Sequence, residues 1–200
     1  KARLAASAML MLPGMPFVYY GEEIGMIGPK PDETIRTPMQ WSSAPNGGFS
    51  TGTPWEPLQS DWKTKNVSVQ DSSRQSLLNH YRKLIHLRNA HQTLSSGPLT
   101  LLHTDDTTGT IAAWLRSSRD TAFLIVVNFG QRHGRFVTET LPPGSLPGGG
   151  LYRVESTYAD PDRACVGGGY FNNGFGGNGS VLLINSVEAH GFCALRISRR

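Results

Sequence analysis

Two adjacent carboxylates, Glu22 and Glu23, close the apolar run Pro16-Phe-Val-Tyr-Tyr-Gly21. A carboxylate pair can divide acid and base work across one substrate bond. Neighbours on an extended strand point to opposite faces, so if the strand continues through them at most one faces a cleft. The other reading is a structural carboxylate bonded to backbone or arginine. Asp32, Glu33 and Arg36 follow in the next loop. An arginine there can clamp a carboxylate or donate to sugar hydroxyls, or it is an ordinary solvated loop charge. Trp41, Phe49, Trp55 and Trp62 either stack on a ligand ring or pin their own loop to the domain. The six histidines form no metal constellation, since His86 and His91, five residues apart, are off-face on a helix. No Ser/His/Asp or Cys/His arrangement is recognisable. Cys165 and Cys193 fit neither a CxxC nor a zinc pattern; a bridge in an exported protein and two separate buried thiols both remain open.

These residues must be held by a scaffold, and the chain supplies two kinds. Lys1 to Leu12 places Leu4, Ala5, Ala8, Met9 and Leu12 on one face at helical spacing, and Pro13-Gly14 stops it. The run from Pro16 to Gly21 is continuous rather than alternating, which predicts a strand buried on both faces and, after a helix, a parallel α/β sheet. From Gly25 to about Asp71 periodicity vanishes among recurring prolines; the tryptophans argue against disorder, so this long loop is predicted to be functional. Ser72 with Gln75 reads as a capping box opening a helix through Leu77, Leu78, Tyr81, Leu84, Ile85 and Arg88. Beyond Ser95-Ser96-Gly97-Pro98 come short strand-like runs at 99–103, 110–116, 121–129, 134–138, 151–155, 181–184 and 192–197. Strands without intervening helices predict an antiparallel sandwich or Greek-key module, with a domain boundary near residue 96. The Gly-rich stretches 142–150 and 167–179 lack the strand-loop-helix context of a phosphate cradle and read as surface loops.

The 200 residues are 38% hydrophobic and 17% charged, with 23 Gly and 13 Pro, which describes a globular chain of one or two domains. The longest apolar run stops at Pro13, too short for a membrane helix. Net charge is +4, but the basic residues are scattered, with Arg199-Arg200 the one adjacent pair, so nucleic-acid binding is not expected. The start at Lys1, already inside a helical pattern, reads as a cut rather than a beginning.

The run Leu12-Pro-Gly-Met-Pro-Phe-Val-Tyr-Tyr-Gly-Glu-Glu-Ile-Gly-Met26 strongly resembles the last barrel strand of the α-amylase family, glycoside hydrolase family 13. Arg36-Thr-Pro-Met-Gln-Trp41, Asn46-Gly-Gly-Phe-Ser50, Pro54-Trp55, Asn66-Val67 and the segment from Ser76 to His91 follow in the family's order. The match covers residues 3 to about 98, and the rest only as architecture.

That resemblance implies the C-terminal part of a (β/α)8 barrel over residues 1–95, followed by an antiparallel β-sandwich, domain C, over 96–200. Lys1 to Leu12 would be the seventh helix, Phe17 to Gly21 the eighth strand and Ser73 to Ala90 the eighth helix. It implies retaining cleavage or transfer at α-glucosidic bonds of maltooligosaccharides or α-glucans. The family's nucleophile Asp, acid/base Glu and second Asp would all precede Lys1, so no catalytic residue is expected in this chain and the chain alone is expected to be inactive. Arg36 would line the terminal glucose subsite, within a cleft opened by the short Gly25 to Arg36 loop. No metal or cofactor is expected here, calcium sites belonging to the missing part. Cys165 with Cys193 could staple the Gly-rich elaboration to the last strand. Alternatives are a non-catalytic barrel scaffold and a carbohydrate-binding β module made from residues 96–200.

Overall fold

The computed structural model describes residues 1–104, 106–132, 134–138, 146, 150–159, 165–166, 169–173 and 182–199. Two compact units emerge, one formed by Arg3–Met15 with Leu87–Arg200, the other by Pro16–His86. Buried arginines tie the separate segments of the first unit together.

That unit opens with α1 (Ala2–Met11), which buries Leu4, Ala6, Ser7, Leu10 and Met11. Of the predicted face only Leu4 is fully buried; Ala5 and Leu12 are exposed. The helix is apolar almost all round, so tertiary partners choose its inner face. Arg88 Nη1 donates to the carbonyls of Leu10 (2.7 Å) and Leu12 (2.9 Å), and Nη2 to that of Gly14 (2.5 Å). Arg116 Nη1 and Trp114 Nε1 both reach Met11 O, at 3.1 and 3.3 Å. These donors satisfy carbonyls that a helix end leaves without intrahelical partners, and they fasten α1 to the strands.

The strands are β1 (Leu99–Leu102), β2 (Ile111–Ser117), β3 (Thr121–Asn128), β4 (Gly134–Thr138), β5 (Gly150–Ala159), β6 (Cys165–Val166), β7 (Gly169–Asn173), β8 (Leu182–Val187) and β9 (Phe192–Arg199). They form a six-stranded sheet in the order β1-β2-β3-β9-β5-β7 and a three-stranded sheet β4-β8-β6, and every pair is antiparallel. All seven predicted runs are strands. The Gly-rich stretch 167–179, read as a surface loop, instead contributes β7, which pairs with β5; its glycines hid the Tyr170-Phe171 pair, two strongly strand-forming residue types. Of the other Gly-rich loop Leu146 is described and lies in the core; residues 142–145 and 147–149 lie outside the described ones.

β3 is central, and from Ala122 to Asn128 it is wholly buried. Ala122, Leu124 and Val126 face one core with Leu115, Leu195, Ile197 and Val187. Phe123 faces the other way, its ring 4.9 Å from that of His91, on the side where α5 (Gln92–Ser96) packs against β2 and β3. A strand covered on both faces reads as a continuous apolar run, which is why Phe123-Leu-Ile-Val-Val127 shows no alternation. Cys193 on β9 is disulfide-bonded, and the backbone of Cys165 forms β6.

In the second unit the predicted strand is absent. Residues 16–19 are irregular, and Phe17 and Tyr19 are 81% and 51% exposed. No described strand pairs with them, and a lone extended segment has neither ladder bonds nor neighbouring faces to bury it. A 3₁₀ turn (Glu22–Ile24) follows instead, bracketed by Gly21 (φ 87°) and Gly25 (φ 75°), both left-handed. A Cβ on Gly21 would lie 2.6 Å from Met26 Sδ, so glycine is required there on two grounds.

The long loop is ordered by short elements: α2 (Asp32–Ile35), a 3₁₀ turn (Pro45–Gly48) and α3 (Val67–Ser72). Asn66 caps α3, its Oδ1 accepting from Val69 N at 2.9 Å. Gln70 then joins both ends of the unit: Nε2 donates to Ile24 O (2.7 Å) and Oε1 accepts from Leu78 N (3.1 Å). Ile24, Met39 and Leu78 make the small core. Helix α4 (Leu77–Ala90) starts four residues later than the Ser72/Gln75 box predicts, because Ser72 ends α3 and Ser76 caps α4 by accepting from Asn79 N (3.1 Å).

Candidate active-site pocket

A pocket of about 490 Å³ opens within the Pro16–His86 unit. One wall comes from Tyr20 and Glu23, another from Arg36 and the buried segment after it, and Trp41, Phe49 and Trp55 complete the lining. The three aromatics are 50%, 50% and 72% exposed. They stand apart from the small core of Ile24, Met39 and Leu78 and border the cavity.

The turn set up by Gly21 separates the two carboxylates. Glu22 is exposed and accepts from Tyr19 N at 3.4 Å. Glu23 is half-buried and lines the pocket; a 3₁₀ turn parts the two residues, not strand alternation. Its Oε2 is buried and has no hydrogen-bond partner.

The other polar groups on the wall are already engaged. Tyr20 donates its hydroxyl to Thr37 O (3.1 Å), and Thr37 Oγ1 accepts from Gln59 Nε2 (3.4 Å). Arg36 pairs with Asp32 through Nη2 and Oδ2 at 3.0 Å, both side chains well solvated, and Lys30 also contacts Asp32. Glu33 is exposed. Burial, and then the neighbouring Tyr19, raise the Tyr20 phenol above its usual range, against a smaller opposing pull from Arg36. Burial, with Glu22 and Glu23 nearby, does the same for Tyr81. Both phenols therefore stay protonated at neutral pH.

A concave site with aromatic walls and a few placed polar groups suits a ring-shaped ligand bearing an apolar face and hydroxyls. Arg36, the one site residue the sequence singles out, lies on its lip. Tyr20, Thr37 and Met39 also line it and were not read as site residues. The signal available for them is position alone: Thr37 and Met39 lie in the same string as Arg36, and Tyr20 ends the aromatic run that leads through Gly21 to the two glutamates. Among the described residues no group of three His, Cys, Asp or Glu could hold a metal ion, and no helix is long and apolar enough to cross a membrane.

Comparison with known proteins follows the same segment. The family model of the alpha-amylase catalytic domain matches residues 1–97. Trehalose-6-phosphate hydrolase of Bacillus subtilis is 30% identical over 182 residues, covering 73% of this chain and 32% of the relative. An amino acid transporter heavy chain of Mus musculus is 37% identical over 134 residues, 62% of this chain and 19% of that protein. Among solved structures, trehalose-6-phosphate hydrolase of Bacillus licheniformis superposes with a TM-score of 0.73 at 22% identity, over 99% of this chain and 38% of the other. The chain spans about a third of the length of these hydrolases. With its motif strings in register from Leu12 to His91 and the family model matching the segment that builds the pocket, the chain belongs to the α-amylase family, glycoside hydrolase family 13.

Proposed function

We propose that this chain is part of a retaining α-glycosidase or transglucosidase acting on α-glucosidic bonds of maltooligosaccharides or α-glucans, and that its pocket holds a glucosyl unit with Arg36 at the terminal subsite. The observation that carries the reading is the position of Arg36 on the lip of an aromatic-walled pocket inside the family-matched segment. Residues 1–95 correspond on this reading to the end of the catalytic barrel and 96–200 to domain C. Trehalose-6-phosphate hydrolase as a relative supports an α-glucoside as substrate.

In the retaining reaction one carboxylate forms the glycosyl-enzyme while a second protonates the leaving oxygen and then activates water or an acceptor sugar, the two carboxyl groups standing about 5 Å apart. The turn at Glu22–Ile24 sends its two carboxylates apart, one to solvent and one to the pocket, so they do not supply that pair. The role left to this chain is binding: aromatic faces against the sugar ring and Arg36 donating to its hydroxyls. The 200-residue chain is accordingly expected to bind short maltooligosaccharides without hydrolysing them. Incubation with maltotriose and product analysis tests the second half, where any cleavage above buffer refutes it. Titration of Arg36→Ala against maltose tests the first, with affinity expected to fall about tenfold on loss of a charged donor.

The transporter heavy chain, at 37% identity, favours a second reading, a barrel that acts as an assembly scaffold without catalysis. Sequencing the gene upstream of Lys1 separates the two: two Asp and one Glu at the ends of the fourth, fifth and seventh strands mean an enzyme, and loss of any of them a scaffold.

A further inference from the structure

We propose that the strand-bearing unit holds a carboxylate-binding site, made by the Arg196 guanidinium on β9 and the His91 imidazole just before α5, with Phe123 as the residue both adjoin. Arg88 and Arg116, both buried in this unit, donate to backbone carbonyls; Arg196 is the exception. It is half-buried, and among the described residues no hydrogen bond or ion pair reaches its guanidinium. Of the three nitrogens Nε alone is sealed from solvent, so Nη1 and Nη2 remain open to a ligand. Register places Arg196 directly opposite Phe123 on β3, and the Phe123 ring lies 4.9 Å from that of His91. Cross-strand partners share one face with Cβ atoms about 5 Å apart, so guanidinium and imidazole both border one ring. Their closeness is also electrostatic: burial, and then the Arg196 charge, lower the His91 pKa. The acid opposite Arg196 on β5 is Glu155, whose Oε1 accepts from Arg153 Nη2 at 2.9 Å instead. Arg196 thus has donors and no counter-ion.

The donors define the ligand. A guanidinium fork matches the two oxygens of a carboxylate, and such a pair is stronger in a partly buried setting than in water. With His91 held toward its neutral form, the site carries one net positive charge, which balances a monoanion and is exceeded by a phosphate dianion. The neutral imidazole still has one N–H to offer the same carboxylate. Phe123, itself fully buried, gives the site an apolar inner wall, against which an unpaired cation is unfavourable and a paired one is not. This site lies within the strand-bearing unit and is independent of the glucoside reading of the other unit.

The test follows the His91 imidazole resonances by NMR in the 200-residue chain, assigned by their loss in His91→Gln. Acetate is added at mildly alkaline pH and constant ionic strength, with chloride as the control anion. Acetate is expected to shift the resonances saturably, half-saturating at about 1 to 10 mM, as suits a single bidentate contact to a charged group; chloride should give no saturable shift. Arg196→Met should weaken acetate at least about tenfold, and Arg196→Lys, which keeps the charge and loses the fork, should fall between. Arg153→Gln, which removes a guanidinium already paired, should stay within about twofold of wild type. The urea midpoint of Arg196→Met, expected at or above that of wild type because an unpartnered cation is removed, excludes a folding defect; where it falls below, Arg196→Lys supplies the comparison in a chain that keeps its charge. Acetate that gives no saturable shift, or that shifts wild type and Arg196→Met alike, overturns the site. Chloride that matches acetate does so too, leaving a salt effect only. Inorganic phosphate binding more tightly than acetate overturns the carboxylate as ligand. With the site upheld, a blocked glutamate side chain binding more tightly than acetate identifies a protein carboxylate as its source, and the reverse order a free organic acid.

Discussion

In the strand-bearing unit Arg116 is fully buried, yet Nε and Nη2 donate to Gly97 O at 3.0 and 2.7 Å and Nη1 to Met11 O. Asn128, also buried, donates to the carbonyls of Arg132, Val187 and Glu188 and accepts from Gly130 N. In the Pro16–His86 unit, Glu23, Gln40 and Asp61 each keep a buried oxygen with no partner, while Trp41, Phe49 and Trp55 stand half or more exposed. Arg196 Nε is the one such atom of the strand-bearing unit among the described residues. Closed polar accounts and covered rings mark a region whose interactions are complete within itself; exposed rings around a pocket mark one shaped to receive something.

The largest effect should come from breaking the closed side. Arg116→Met keeps most of the side-chain volume but leaves Gly97 O without its guanidinium donors. Burial already pulls the Arg116 pKa below its usual range, with the Arg88 charge adding to it, yet carbonyls compensate the charge. The variant is expected to lose about 3 kcal/mol, the sum of lost charge-assisted bonds and an unsatisfied carbonyl, measured as a fall in the urea midpoint. A loss below about 1 kcal/mol would mean that these bonds do not decide the stability of the unit, and the contrast would weaken.

The sequence makes this half of the molecule legible for a physical reason. Strands and helices repeat their apolar residues at fixed intervals, and the runs at 99–103, 121–129 and 192–197 are therefore readable without partners. The pocket has no such repeat. Phe17-Val-Tyr-Tyr20 has strand composition, but a strand needs a neighbour, and among the described residues none pairs with it. A strand register would part Glu22 and Glu23 by alternation without saying which faces the cleft; Gly21 at φ 87° turns the chain instead and sends Glu22 to solvent and Glu23 to the pocket. The glycine is visible in the sequence, while its left-handed conformation depends on Met26 and Gln70, residues that periodicity does not connect to it.

A middle-sized effect sharpens the same contrast through pH. Asp106 organises the turn between β1 and β2: Oδ1 accepts from Thr108 N and Oγ1, and Oδ2 from Thr110 N and Ile111 N at 2.7 and 2.8 Å. The Thr108 hydroxyl is the leading cause that holds its carboxyl at about 2, with backbone N–H groups adding to it and burial opposing. A folded-state pKa below the unfolded value of 3.8 contributes stability that is present above pH 3.8 and lost as pH falls toward 2. Asp106→Asn should therefore be less stable by about 1.5 kcal/mol at pH 7 and should show a shallower loss of stability between pH 4 and 2. Parallel acid-denaturation curves for the two proteins would remove Asp106 from the closed network.

The smallest effect tests the open side. Trp55 is 72% exposed and borders the pocket, so Trp55→Ala should change the urea midpoint by no more than about 0.5 kcal/mol, the usual range for surface positions. Burying such a ring in a core would make the same truncation cost about 3 to 5 kcal/mol, which is the expectation if it pinned the Pro-rich loop. The two readings of the aromatic residues, ligand platform and loop anchor, thus differ by several kcal/mol in one stability measurement. Affinity supplies the complementary half, because a ring that contributes little to folding but stacks on a sugar must show its contribution in binding. Trp55→Ala with unchanged stability and weakened maltose binding fits a receptive surface; unchanged stability with unchanged binding would leave Trp41 and Phe49 as the platform and move the working wall of the pocket toward Arg36.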